Sequence, residues 1–105
     1  MKVVAVTSCP SGVAHTYMAA EALERAAKEA GIEIKVETQG SIGIENELTK
    51  EDVAEADIVI ITKDMGIKNM DRFKGSTVVK VSVGDAIKKA KPLMKKIQEY
   101  VENKK

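Results

Sequence analysis

One cysteine, one histidine, two prolines, three aromatic residues and no tryptophan occur among the 105 residues of this chain. A single thiol forms no internal disulfide, so stability has to come from packing, and a reducing cytoplasm is the natural compartment. One Cys and one His make a poor zinc set, so no metal site is expected. Charge of one sign is also missing. The 17 basic and 16 acidic side chains leave a net charge of +1, no footprint for nucleic acid, and Tyr17, Phe73 and Tyr100 offer little for stacking bases. No apolar run approaches the ~18 residues of a membrane span, and the apolar part of "MKVVAVTSCP" is too short for a signal peptide. Repeats, linkers and low-complexity stretches are absent, so one domain over 1–105 is expected. There is no G-x-x-x-x-G-K-[ST] and no G-x-G-x-x-G, so neither phosphate-loop nucleotide binding nor a dinucleotide cofactor is indicated, and no cofactor is expected. The lack of C-x-x-C excludes a thioredoxin-type dithiol.

What is present is a regular alternation. Four β-rich runs stand at 2–8 (KVVAVTS), 33–39 (EIKVETQ), 57–63 (DIVIITK) and 77–83 (TVVKVSV). The first and third are nearly continuous Val/Ile stretches, the pattern of central strands covered on both faces. The second and fourth alternate, as strands nearer an edge do. Between them lie helical signals. Val13, Tyr17, Ala20, Leu23, Ala27 and Ala30 share one face at three- and four-residue steps, and Gly31 is placed to cap the end. Thr49 with Asp52 three residues later predicts a capped short helix. Leu93, Ile97, Tyr100 and Val101 predict an amphipathic helix starting at Pro92. The Lys-rich run 88–96 reads as a solvated face. Strand–helix alternation of this kind predicts an α/β fold: a three-layer, Rossmann-like parallel sheet with helices on both faces.

In such a sheet, ligands bind beyond the carboxyl ends of the strands. Cys9 stands just past the first strand, Pro10 ends strand pairing, and Gly12 permits a positive φ. A helix starting near Val13 aims free N–H groups and the positive end of its dipole at this junction. That arrangement cradles an anion and lowers the pKa of a thiol, and phosphate fits it best. Taken singly, Cys9 reads as a buried small hydrophobe, His15 as a first-turn surface residue and Gly12 as a turn. Together, C-P-S-G-V-A-H-T at a strand-to-helix junction favours function. Cys9, five intervening residues, His15 and Thr16 resemble the Cys-x5-Arg-[Ser/Thr] loop of cysteine-dependent phosphatases, with His in place of Arg. An imidazole lacks the planar fork with which a guanidinium grips two phosphate oxygens.

"VTSCPSGVAHTYMAAEAL" (6–23), "KVETQGSIGIENELT" (35–49) and "ADIVIITKD" (56–64) together resemble enzyme IIB of the fructose-type phosphoenolpyruvate-dependent sugar phosphotransferase system, along essentially the whole chain. The resemblance implies a four-stranded parallel sheet of order 2-1-3-4, with the Cys9 segment at the switch point. It implies a protein-N(pi)-phosphohistidine–sugar phosphotransferase that works through phosphocysteine. Cys9 would take the phosphoryl group from IIA and pass it to a sugar held by the membrane-embedded IIC, with the protein itself staying in the cytoplasm and associating with IIC at the inner face of the membrane, without inserting. Pro10, Ser11, Gly12, Val13, Ala14, His15 and Thr16 would form the phosphate-binding loop. Gln39, Gly40 and Ser41 would shape the neighbouring rim or read simply as a glycine turn, and Asp64 reads as a turn residue. Ser11, Val13, Tyr17, Ser41 and Ile42 are the expected docking residues. A small cysteine phosphatase and a non-catalytic anion-binding module are the alternatives.

Overall fold

The computed structural model describes residues 1–8, 13–40, 43–63 and 66–104. Among them five strands form one sheet: β1 (Lys2–Thr7), β2 (Glu33–Gly40), β3 (Gly43–Glu45), β4 (Ile58–Thr62) and β5 (Val78–Val81), in the order β3-β2-β1-β4-β5. β1 pairs in parallel with β2 and β4, and β4 pairs in parallel with β5. These four strands have the expected order 2-1-3-4. The fifth is a correction: β3 returns antiparallel along β2, Gln39 facing Ile44 and Gly40 facing Gly43. Its three residues are all exposed, so no hydrophobic pattern announced them.

Burial follows the reading of the strands. All of β4 and the last five residues of β1 are buried, because these central strands are covered on both faces. One face carries α1 (Val13–Glu29), α3 (Val83–Lys88) and α4 (Ala90–Lys104), packed through Ala19, Leu23, Ala27, Met94 and Ile97 onto Val3, Ala5, Val36, Ile58 and Ile60. Alanines at 19, 20, 26 and 27 let α1 lie close to the sheet. The other face is thinner. Leu48, Val53 of α2 (Lys50–Glu55) and Phe73 of the 3-10 turn Met70–Phe73 cover Val4, Val6, Val59 and Ile61 there.

Local chemistry sets the helix ends. Gly31 has φ +73°, and the Ile32 N–H reaches the Ala27 carbonyl at 2.8 Å, the left-handed stop expected for α1. Thr49 and Asp52 form a reciprocal capping box on α2. The fourth strand ends earlier than its sequence suggests: Ser82 accepts from the Asp85 N–H at 3.0 Å and caps α3, so Val83 starts a helix. Likewise α4 begins at Ala90 and carries Pro92 within its first turn, where a missing N–H costs nothing. Lys88, Lys89, Lys91, Lys95 and Lys96 are exposed, as a solvated face requires.

Leu23 is fully buried against both sheet and helices. Leu23→Ala should therefore lower unfolding free energy by about 2–5 kcal/mol, and Thr49→Ala, which removes only a cap, by about 1 kcal/mol. Urea titrations monitored by circular dichroism would measure both. Equal losses would contradict the core placement of α1.

Candidate functional site at the carboxyl ends of the strands

The parallel strands β1, β2 and β4 end together, and hydroxyl groups tie their ends where ladder pairing stops. The Ser8 N–H donates to Thr62 Oγ1 at 2.9 Å, and Thr62 Oγ1 donates back to the Ser8 carbonyl at 3.1 Å. Ser8 Oγ donates to the Gln39 carbonyl at 3.0 Å, joining the end of β1 to β2. Thr7 Oγ1 donates to the Thr16 carbonyl at 3.1 Å, anchoring the first turn of α1 to the same strand. Thr7, Ser8 and Thr62 are buried, so these hydrogen bonds satisfy groups that water does not reach.

Cys9, Pro10, Ser11, Gly12, Ser41, Ile42 and Asp64 lie outside the described residues, as does the side chain of Val13. Their flanks are described. The segment 9–12 joins the carboxyl end of central strand β1 to the amino end of the 17-residue helix α1. That helix has no acidic residue in its first turn to offset the positive end of its dipole. Ala14 and His15 are exposed on that turn. Thr16 points inward: it is 1% exposed, and its Oγ1 has no hydrogen-bond partner. Tyr17 is half-buried. Its partial burial, together with the Glu45 carboxylate hydrogen-bonded to it, raises the phenol above its ordinary value and links α1 to β3.

Lys35 and Glu37, which sequence reasoning missed, share one face of β2 with the expected rim residue Gln39. Side chains two apart on a strand point the same way, and Lys35, Glu37 and Gln39 each hold a different segment. Lys35 Nζ lies 2.7 Å from Asp52 Oδ2, and this hydrogen bond, with the Thr49 N–H, holds the Asp52 carboxyl down to about 2. Glu37 is fully buried. It accepts from Arg72 Nη1 and Nη2, both at 2.6 Å, from the Leu48 N–H at 2.8 Å and from Gln39 Nε2 at 2.7 Å. Burial is the largest single influence on Glu37 and pushes its carboxyl up, but hydrogen bonds from Arg72, Gln39 and Leu48 together prevail, and the net direction is down. Arg72 also donates to the Leu48 carbonyl at 3.0 Å and lies over the Phe73 ring, 4.7 Å from its centre. Gln39 Oε1 accepts from the Lys68 N–H at 2.8 Å, and its Nε2 donates to the Lys68 carbonyl at 3.1 Å. The available signal was a charged residue at the centre of an otherwise half-apolar strand, since a buried carboxylate demands a cation.

Among the described residues no helix is long and apolar enough to cross a membrane. Residues 4–96 match the family described as PTS system, lactose/cellobiose specific IIB subunit. The chain is 66% identical over 100 residues to PTS system fructose-like EIIB component 2 of Escherichia coli (strain K12), covering 95% of this chain and 94% of that one. It is 53% identical over 88 residues to the fructose-specific EIIB'BC component of Vibrio cholerae, covering 84% of this chain but 15% of that longer one. The solution structure of an enzyme IIB subunit of the PTS system from Escherichia coli K12 superposes with a TM-score of 0.91 at 46% identity, covering 98% of this chain and 95% of that one.

The Glu37–Arg72 pair makes a pH-dependent prediction. A carboxyl held low in the folded state stabilises the fold above its unfolded value, about 4.3, and that contribution is lost as pH falls through the lower folded value. Arg72→Met leaves a buried, uncompensated carboxylate and should cost about 3–5 kcal/mol at pH 7. Because burial then favours the protonated acid, the gap between variant and wild type should narrow between pH 7 and pH 4. Denaturant titrations at both values would test this. A gap independent of pH would show that Arg72 acts through packing alone.

Proposed function

Because the chain belongs to the phosphotransferase-system IIB family, we propose that it is a phosphoryl carrier of a fructose-like system, with Cys9 as the group that is phosphorylated. One observation carries this reading: the chain's single thiol falls in the segment that leads from the carboxyl end of central strand β1 into the amino end of α1. Helix N–H groups and the helix dipole stabilise a thiolate there and then the phosphoryl oxygens. The buried Thr16 hydroxyl, without a hydrogen-bond partner, leaves a further donor at this turn. Ser11 through His15 would supply backbone N–H groups, and Gln39, Gly40 and Ser41 would form the adjoining rim.

In the first step the Cys9 thiolate attacks phosphorus as the P–N bond of a IIA phosphohistidine breaks, and the imidazole leaves with the electron pair. In the second, a sugar hydroxyl presented by a membrane IIC component attacks phosphorus, its proton passes to water or to a base of that component, and the S–P bond breaks to restore the thiolate. Both steps depend on in-line positioning and charge stabilisation. The imidazole of His15, exposed on the first turn, is suited to donate to an oxyanion but not to grip it in a bidentate fork. Fructose-like specificity is supported by the 66% identical relative of that name. The partners are a phosphorylated IIA and a IIC permease, and the Vibrio relative joins B and C components in one chain.

Incubation with a phosphorylated fructose-type IIA should add one phosphoryl group, seen by intact mass and labile to iodine. Cys9→Ser should retain the circular dichroism of the wild type and take up nothing, because a helix end that ionises a thiol leaves an alcohol, with its much higher pKa, protonated. His15→Asn should keep more activity than His15→Ala. Release of free phosphate without a phosphoprotein would mean a phosphatase. An acid-labile, iodine-resistant adduct would move the carrier role to His15.

A further inference from the structure

Gln39 stands at the crossing of three segments. Its main-chain carbonyl holds Ser8, the residue before Cys9, at 3.0 Å. Its side-chain amide closes on the main chain of Lys68 from both sides, accepting from the N–H and donating to the carbonyl. That two-point clasp works in one amide orientation only. Rotated by half a turn, Oε1 would meet the Lys68 carbonyl and Nε2 the Lys68 N–H, acceptor against acceptor and donor against donor. A carboxylate accepts and never donates, so Glu37, at 2.7 Å, forces Nε2 toward itself and selects the productive orientation. Glu37 in turn is held by the two nitrogens of Arg72 from the 3-10 turn that follows Lys68. The loop is closed: the turn that carries Arg72 fixes Glu37, Glu37 fixes Gln39, and Gln39 fixes the chain just ahead of the turn.

We propose that Gln39 is a positioning residue, oriented by Glu37, that locks the end of β1 and the Lys68 segment into one rigid rim around the Cys9 segment. This rests on the phosphoryl-carrier reading for its consequence: in-line transfer tolerates little misplacement, and about 1 Å costs up to about a hundredfold in rate. The role is not one of contact with the phosphoryl group, since both ends of the Gln39 amide are occupied by protein partners. A structural role alone would lower the folded fraction and leave the rate per folded molecule intact.

The test compares wild type with Gln39→Leu, which loses both amide groups, and Gln39→Glu, which keeps the shape but sets a carboxylate against Glu37 and the Lys68 carbonyl. Single-turnover uptake from phosphorylated IIA separates the saturating rate from the half-saturating concentration, and amide hydrogen exchange reads the Lys68 N–H. Both variants should show faster Lys68 exchange and a saturating rate at least tenfold lower, with the half-saturating concentration little changed and most molecules folded. Protected Lys68 in both variants overturns the proposal, and so does an unchanged saturating rate per folded molecule. If wild-type protein accepts no phosphoryl group from any phosphorylated IIA, the carrier reading has failed separately. Iodoacetamide alkylation of Cys9 then decides: a rate shifted by Gln39→Leu supports positioning, and an identical rate overturns it.

Discussion

A carboxylate removed from water has to be surrounded by donors, and meeting that requirement at Glu37 organises the thinner side of this molecule. Four donors converge on it from three places: the guanidinium of Arg72, the main chain of Leu48 and the amide of Gln39. The 3-10 turn contributes Phe73 and the approach to α2 contributes Leu48 to a small cluster over Val4, Val6, Val59 and Ile61. Desolvating a charge is expensive, so the arrangement specifies a geometry more than it adds stability. Its value is that a turn, a loop and a strand end are held in one register beside the place where the central strands stop.

The thicker side is ordinary by comparison. Alanine-rich α1 and the amphipathic α4 bury Leu23, Met94 and Ile97 on the sheet through apolar contact, which tolerates small shifts. The two faces thus divide the labour between hydrophobic burial and directed polar contacts. The flanks of the junction between β1 and α1 are held by the Thr7–Thr16 hydrogen bond and by those that Ser8 makes with Gln39 and Thr62.

What was legible in the sequence was what repeats. Continuous Val/Ile runs marked β1 and β4 as central, and the alanine spacing with Gly31 marked α1 and its end, because periodicity and backbone freedom are local properties. The Thr49–Asp52 box was equally local. Missed were β3, whose three exposed residues carry no pattern, and α3, whose Ser82 cap follows a β-branched run directly. In the candidate site, Gln39 and Gly40 were placed on the correct strand end by their position after an alternating run. Glu37 escaped because its cation, Arg72, is 35 residues away and its main-chain donor, Leu48, is 11 away, and pairing at such a distance leaves no spacing to read. Cys9 and the residues up to Gly12 rest on their sequence and on the flanking elements.

Thr62 carries a consequence for the polar groups where the central strand ends. Its hydroxyl takes the N–H of Ser8 and gives its proton to the Ser8 carbonyl, so one side chain closes both polar groups of that peptide position. A strand that simply stopped would leave an N–H facing the crevice, where it would attract water or a stray anion ahead of the helix. Here the last residue of the sheet side is electrically quiet. The Ser8 main chain is therefore spent inside the protein and does not compete with the amino end of α1 for water or ions.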